Sequence, residues 1–267
     1  MSLLRAVPGF AVTTARLFGL QAAWSYERML GIGFAHAVEP LLRPLRAREG
    51  GAAYHEALAR EAQFFNGHPY LTSIAVGAAA RAELDGEPPA RIERMRTALC
   101  APLGALGDRL IWAGWLPACS GAALALAALG ARGWAVVAFL VLYNAVHVPL
   151  RAWGLRAGWR SGTRVADALA SPLLRRALAA AGPAAALALG VALPLVVVWL
   201  VRRGQPWELV WGRVLVAGLA AAAYAVAATR LRLRLSGLAL ALVVLTAAVV
   251  VGLVWPSGVQ AARSAWP

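Results

Sequence analysis

Two short segments, residues 64–71 and residues 101–112, combine polar side chains with proline and glycine just before a long apolar half of the chain. The first segment holds Asn66 and His68, and the second holds Asp108. Amides donate and accept hydrogen bonds and carboxylates accept them, so both groups can bind a hydroxyl-bearing ligand. Non-helical backbone is tolerated at membrane depth only where protein or a water-filled cavity covers it. The layout therefore predicts a backbone that bends at membrane depth around a polar ligand.

The prolines and glycines of these segments are the candidate loop-forming residues. Pro69 disfavours a helical conformation at His68 and should interrupt a helix there. Pro102, Gly104 and Gly107 together predict a second non-helical loop, of the kind that forms binding sites in transporters with broken helices. A plain turn at the membrane interface is the alternative for this second loop.

The polar residues of both segments have structural roles as alternatives to ligand binding. Asp108 is a candidate hydrogen-bond acceptor for a ligand, but it could also form a salt bridge or cap a helix that begins near Arg109. Asn66 is a candidate ligand contact, and it could equally cap a helix that begins near Pro69.

An aromatic stretch near the N-terminus adds a third group of candidates. Trp24 and Tyr26 offer ring faces that can stack on the C–H surface of a sugar, and Glu27 could accept hydrogen bonds from hydroxyl groups. The alternative is a buried ion pair between Glu27 and Arg28 that fixes helix packing. Asn144 falls in a presumed membrane span, where an amide either contacts ligand or bonds a neighbouring helix.

Composition indicates a membrane protein. The 267 residues are 61% apolar, against about half in a soluble globular protein, and the mean hydropathy is +0.65. The net charge is +14. The two cysteines, Cys100 and Cys119, do not form a metal-binding or disulfide motif. The arginines cluster between apolar segments, which fits the positive-inside pattern better than nucleic-acid binding. We expect no metal site, no cofactor and no cleaved signal peptide.

Residue patterns predict two regions. Residues 1–100 should form four amphipathic and interfacial helices. The first is bounded by Pro40 and Pro44 and has Leu17, Leu20 and Trp24 on one stripe. The second covers residues 52–65, with Glu56, Arg60 and Glu61 available for contacts within the helix, the third covers about 70–84, and the fourth is a short basic helix over 90–100. Breaks are expected at 49–51 and 85–89.

Residues 101–267 should form the membrane-spanning region, and the whole chain should be one membrane-embedded unit. Apolar spans are expected near 110–130, 134–150, 180–201, 213–229 and 236–255. The arginine-rich loop 151–179 is placed in the cytoplasm. The predicted fold class is all-α: a polytopic integral membrane protein with interrupted or re-entrant helices.

Four segments in a fixed order resemble a known family. They are residues 21–34 with a Glu-Arg-Met run, residues 61–71 with Phe-Phe-Asn, residues 95–112 with Pro-Leu-Gly and Gly-Asp, and residues 142–144 followed by 158–162. Together they resemble the IID component of the mannose/fructose/sorbose-type sugar phosphotransferase system (PTS).

The resemblance implies a role in sugar transport rather than catalysis within this chain. A IID subunit pairs with a IIC membrane subunit, and the pair carries a hexose across the bacterial cytoplasmic (inner) membrane. The soluble IIA and IIB proteins deliver the phosphate, so no catalytic residue is expected here. Oligomers of IIC–IID heterodimers are also implied. The alternative is a vestigial or regulatory subunit of an incomplete PTS, because the late polar region of the family is shortened in this chain.

Overall fold

The computed structural model describes residues 8–202, and within that range the chain is all-α without β-strands. Short 3-10 turns lie at Leu17–Gly19 and Gly162–Arg164, and a π-helical stretch covers Asp108–Trp115. The α-helices are α1 (Phe10–Arg16), α2 (Gly31–Glu49), α3 (Gly51–Glu61), α4 (Thr72–Leu84), α5 (Pro89–Gly107), α6 (Leu116–Ala128), α7 (Arg132–Ser161), α8 (Ala166–Leu169) and α9 (Pro172–Arg202).

Three helical stretches are long and apolar enough, by length and composition, to cross a membrane: Pro89–Ala128, Arg132–Arg164 and Ala166–Trp199. A crossing needs about 20 residues, so each stretch has length to spare. The predicted spans near 110–130, 134–150 and 180–201 overlap these stretches. The predicted spans 213–229 and 236–255 lie outside the described residues. The arginine-rich segment 151–179 is largely helical rather than a loop, because α7 continues to Ser161 and α9 begins at Pro172.

Two prolines lie inside a helix where the sequence predicted an end. Pro40 and Pro44 are both within α2, so the prediction that they bound a helix was wrong. Pro40 has no N–H to donate to the carbonyl of His36, four residues earlier. Arg16 compensates, because its Nη1 donates to the His36 carbonyl oxygen at 2.9 Å. A side chain from α1 thus replaces one of the backbone bonds that the proline removes.

The boundaries of the other N-terminal helices also differ from the prediction. Residues 20–30 form turns instead of a helix, so the stripe that was to include Trp24 does not exist. Helix α3 ends at Glu61 rather than at residue 65, and α5 continues to Gly107 rather than ending near residue 100. The predicted break after Glu49 is confirmed, with Gly50 at a φ of 92°. The division of the chain at residue 100 stays a prediction.

The second predicted loop is helical. Pro102, Gly104 and Gly107 all lie within α5, so the prediction of a non-helical loop there was wrong. Pro102 is on the exposed side of the helix, and α5 accommodates it without a break. The departure from α-helical geometry comes after the glycines instead, in the π-helical stretch that links α5 to α6. Short π-helical segments are rare and concentrate at functional sites.

The described residues fall into two units, residues 8–122 with 136–189, and residues 123–135 with 190–202. The buried apolar core described below belongs to the first unit. Its largest fully buried side chains come from α2, α4, α5, α7, the π-helical stretch and the turns that precede α2 and α4: Phe34, Phe65, Leu17, Leu20, Leu41, Leu42, Leu71, Ile74, Ile92, Leu103, Ile111 and Leu155.

Small residues allow α4 and α7 to approach closely. Gly154 and Gly158 lie four residues apart on α7, the spacing that brings two glycines to one helix face. A Cβ atom at Gly158 would overlap the carbonyl oxygen of Ile74 on α4, and one at Gly77 would overlap the carbonyl oxygen of Leu155 on α7. Backbone therefore packs directly on backbone at this crossing.

The substitution Gly158→Leu should destabilise the protein by at least about 2 kcal/mol, because a leucine side chain forces the two helices apart. Gly182→Leu is the matched control, since a Cβ there would meet nothing within 4 Å. The measurement is the thermal midpoint of the purified full-length chain in detergent. Equal midpoints for the two variants would contradict the close approach.

Glu39 joins the first three helices through hydrogen bonds. Arg16 of α1 donates to it at 2.7 Å, Arg43 of α2 at 2.8 and 3.1 Å, and Tyr54 of α3 at 2.9 Å. The bonds from Arg43 above all, and then those from Tyr54 and Arg16, lower the pKa of Glu39 to about 2 against the opposing effect of burial. The folded state therefore favours the ionised carboxylate.

A depressed carboxyl pKa stabilises the fold above its unfolded value of 4.5 and loses this contribution as the pH falls towards 2. Glu39→Gln should therefore cost about 2 kcal/mol of unfolding free energy at pH 7, and about half of that or less at pH 3. Unfolding in detergent at both pH values measures it. Asp85→Asn removes a more exposed carboxylate that pairs with Arg81, and should cost well under about 1 kcal/mol. A pH-independent cost for Glu39→Gln would contradict the assignment.

Candidate ligand site

A polar pocket of about 520 Å³ forms where the turn at residues 20–30, the turn at residues 62–71 and the second half of α5 meet. Backbone hydrogen bonds join the two turns: the Leu30 amide donates to the Phe65 carbonyl at 2.9 Å, and the Phe65 amide donates to the Arg28 carbonyl at 3.3 Å. The pocket is lined by Gln21, Trp24, Leu30, Asn66, Gly67, His68, Pro69, Cys100, Ala101, Gly104, Ala105 and Asp108.

Three separate sequence segments therefore supply the predicted residues to one pocket. Trp24, Asn66, His68 and Asp108 all line it, although more than 80 positions separate the first from the last. Pro69 and Gly104 line it as well. A lining of amide, imidazole, carboxylate and indole groups can hydrogen-bond hydroxyl groups and cover an apolar ring surface.

The remaining predicted residues do not line the pocket. Tyr26 is 83% exposed and contacts Trp24, with ring centroids 4.9 Å apart. Asn144 is exposed on α7, and its Nδ2 donates to the Leu140 carbonyl of its own helix at 2.8 Å. Within the described residues the Asn144 amide thus bonds its own helix and no neighbouring one, and its predicted contact with ligand stays a prediction. Pro102 and Gly107 do not line the pocket either, although Gly107 packs against His68, which does.

Within its described residues, the structure does not contain the buried ion pair or the two helix caps that were the alternatives to ligand binding. Glu27 and Arg28 are both exposed, and Arg28 donates to the Ala62 carbonyl at 3.1 Å, so they form no buried ion pair. Asp108 lies in the π-helical stretch that continues α5, so it does not cap a new helix. Asn66 does not cap α4, because the N-cap position is Leu71 and no side-chain hydrogen bond caps the helix there.

His68 is a buried wall of the pocket. Its Nδ1 accepts a hydrogen bond from the Tyr70 amide at 3.2 Å, and its ring lies 5.1 Å from the ring of Trp112. A Cβ atom at Gly107 would overlap the His68 side chain, so glycine is required there for the close packing. Burial, and secondly the positive charge of Arg151, lowers the pKa of His68 to about 4. The imidazole is therefore neutral at neutral pH.

Arg96 of α5 holds the turn that carries Asn66 and His68. Its guanidinium donates to the carbonyl oxygens of Arg60 at 2.7 Å, Glu61 at 3.0 Å and Gln63 at 3.2 Å. It also forms an ion pair with the Glu61 carboxylate, with Nε and Oε2 2.9 Å apart. Both side chains are almost completely buried.

Burial raises the pKa of Glu61, and the attraction of Arg96 opposes this rise. Arg60 turns away from its own helix and pairs with Glu83 of α4 through two hydrogen bonds of 2.8 and 2.9 Å. The predicted contacts within the helix among Glu56, Arg60 and Glu61 were therefore wrong. The pairs instead join α3 to α4 and to α5.

A second buried arginine lies behind His68. Arg151 of α7 donates to the Leu17 carbonyl and, through Nε, to His147 Nε2 at 2.9 Å. Its guanidinium lies 4.5 Å from the centre of the Tyr70 ring. Tyr70 also shares a hydrogen bond with Tyr143 and stacks on His147. This cluster fixes the C-terminal end of the 62–71 turn on α7.

The sequence reasoning missed Arg96 and Arg151, although one signal was available. Arg96 occupies a helical stripe with Ile92, Leu99 and Leu103, all of which are buried. An arginine on such an apolar stripe is expected to be buried and paired. Its partners are not readable in the same way, because they come from a turn more than 30 residues earlier.

The described part of the chain contains no group of three or more His, Cys, Asp or Glu residues that could hold a metal ion. The fold and the pocket together define a helical membrane protein with a polar pocket. The sequence profile of the "PTS system mannose/fructose/sorbose family IID component" matches residues 10–198. The chain therefore belongs to the IID components of the mannose/fructose/sorbose family of the PTS.

Two characterised relatives show the same relationship. The chain is 29% identical over 167 residues to the fructose permease IID component of Bacillus subtilis, covering 59% of this chain and 58% of the relative. It is 32% identical over 168 residues to the sorbose-specific EIID component of Klebsiella pneumoniae, covering 58% of each. The chain thus spans about 58% of the length of these relatives.

Solved structures support the fold alone. A chain of the mannose transporter ManYZ in complex with microcin E492 matches with a TM-score of 0.54 and 23% identity, over 68% of both chains. A second chain, described as a membrane protein, matches with a TM-score of 0.59 and 21% identity, over 71% of this chain and 70% of that one. The all-α membrane fold predicted from the sequence is confirmed.

Arg96→Met should cost about 3 kcal/mol of unfolding free energy, because three carbonyl oxygens and the Glu61 carboxyl lose their partner. Adding Glu61→Leu should restore part of this stability, since it removes the stranded carboxyl but not the stranded carbonyl groups. Chemical unfolding of the full-length chain and its variants in detergent measures both effects. Single and double variants that unfold like the wild type would show that Arg96 does not hold the turn.

Proposed function

We propose that this chain is the membrane subunit of a mannose-type PTS permease that transports a hexose together with a IIC subunit. The observation that carries the proposal is the polar pocket, which gathers residues from three of the four family segments into one site. The family match over residues 10–198 supports a role for this pocket in a sugar phosphotransferase system.

The pocket offers the chemistry of a neutral sugar site. Asn66 can donate and accept hydrogen bonds to adjacent hydroxyl groups, and the exposed Asp108 carboxylate can accept them. Trp24 is about half exposed and presents an indole face to the same space. His68 is neutral, so the buried side of the pocket adds no charge that would favour an ionic ligand.

The partners follow from the family. The hexose is phosphorylated by a IIB protein that receives its phosphate from IIA, so this chain needs no phosphorylated residue and is not itself an enzyme. The assembly lies in the bacterial cytoplasmic membrane, where IIC–IID heterodimers associate into larger oligomers. The three apolar helical stretches of the described residues are consistent with a multi-pass subunit.

Asn66→Ala should lower hexose uptake to about a tenth or less of wild type, because removing hydrogen bonds to a bound hydroxyl costs about 1.4 kcal/mol. Asn144→Ala makes the same chemical change outside the pocket and should keep uptake near wild type. The measurement is phosphorylation-coupled uptake of labelled mannose and fructose by cells that lack other hexose permeases and express the chain with IIA, IIB and IIC.

Copurification of each variant with IIC separates loss of assembly from loss of sugar binding. Equal uptake by the two variants would contradict the role of the pocket. A wild-type chain that binds IIC yet supports no uptake of any hexose would favour the vestigial or regulatory alternative, which no observation in the structure supports.

A further inference from the structure

A second pocket, of about 550 Å³, opens between the first half of α5 and the segment that joins α7 to α9. We call it the basic cleft. Its charged lining residues are Arg91 and Arg94, and its walls are mainly apolar, including Met95, Leu99, Val165 and Leu169. It shares no lining residue with the polar pocket.

The basic cleft contains positive charge without a matching acid. Arg94 is exposed and has no ion pair or hydrogen bond among residues 8–199. Arg91 is also exposed and pairs with Glu87 at 2.9 Å, next to the mouth of the cleft. Arg164 is exposed between two lining residues, and Asp167 is the one acid on that side of the cleft. An anionic group entering the cleft would therefore meet at least one unpaired guanidinium.

The cleft lies at the arginine-rich end of the membrane helices. The stretch Pro89–Ala128 is 40 residues long, or about 60 Å as a helix, which is about twice the hydrocarbon thickness of a bilayer. Its apolar half begins after Arg109, so the half that carries the cleft lies at the membrane surface. Residues 151–176, which include the facing wall of the cleft, contain six arginines and one acid. This imbalance identifies the cytoplasmic side.

We propose that the basic cleft binds an anionic phospholipid of the cytoplasmic leaflet. The phosphodiester pairs with Arg94, with Arg91 as a second donor, and an acyl chain covers Met95, Leu99, Val165 and Leu169. Basic pockets between membrane helices on the cytoplasmic side bind anionic headgroups. A free phosphate ion would satisfy the guanidinium groups but would leave the apolar walls exposed, so the combined charge and apolar lining favour a lipid. This site does not depend on whether the chain supports sugar uptake.

The test uses the full-length chain, purified in non-ionic detergent and depleted of lipid. Phosphatidylglycerol and phosphatidylcholine with the same acyl chains are titrated and counted by native mass spectrometry. The wild type should bind phosphatidylglycerol about fivefold or more tightly than phosphatidylcholine, as expected from the pairing of one arginine with one anion. Arg94→Gln should remove most of this preference. Arg46→Gln removes an exposed arginine of α2 that lies outside the cleft, and should leave the preference unchanged.

A second variant tests the apolar walls without changing the charge. Ala98 lines the cleft and is exposed, so Ala98→Trp should fill the space and weaken binding of both lipids by at least about threefold, with the thermal midpoint unchanged. Equal affinity of the wild type for both lipids would overturn the proposal. So would equal losses in Arg94→Gln and Arg46→Gln, or displacement of phosphatidylglycerol by millimolar inorganic phosphate.

Discussion

The geometry of the candidate site depends on the guanidinium of Arg96. The last carbonyl groups of an α-helix have no donor within the helix, and a buried helix end must find donors elsewhere. Arg96 supplies them to the end of α3, pairs with Glu61, and lies over the ring of Phe34 at 5.0 Å. It therefore fixes where α3 stops and where the chain turns towards Asn66. A residue outside the polar pocket thus determines the position of the residues that line it.

The buried charges of the chain are divided into two kinds of environment. Arg60 and Arg96 each lie against the carboxyl group of a glutamate, Glu83 and Glu61 respectively, at the end of α3. Arg151 instead meets a carbonyl group, an imidazole and aromatic rings. Its positive charge is one reason that neighbouring His68 remains neutral. The inner wall of the polar pocket is consequently rigid and uncharged, which suits an uncharged hydroxyl-bearing ligand, and the exposed Asp108 adds the acidic acceptor at its surface.

The sequence predicted the membrane helices and the gathering of the polar segments better than it predicted helix ends. Long apolar stretches identify spans because their length and hydropathy are local properties of the chain. The helix across Pro40 could not be predicted, since it depends on a donor from Arg16, 24 residues earlier. The continuation of α5 through Gly104 and Gly107 also could not be predicted from the local sequence. Glycine and proline there suggested a loop, whereas Gly107 serves the packing of His68 within a helix.

The continuity of α5 has a consequence for the two pockets that it lines. Arg94 and Leu99 line the basic cleft, whereas Ala101 and Gly104 line the polar pocket further along the same helix. An unbroken helix transmits a displacement of one end to the other, whereas the loop expected from Pro102 would have absorbed it. The π-helical stretch begins only at Asp108, the last lining residue of the polar pocket along the chain. A lipid that holds the first half of α5 at the membrane surface therefore also restrains the wall of the polar pocket, and the two sites share one rigid element.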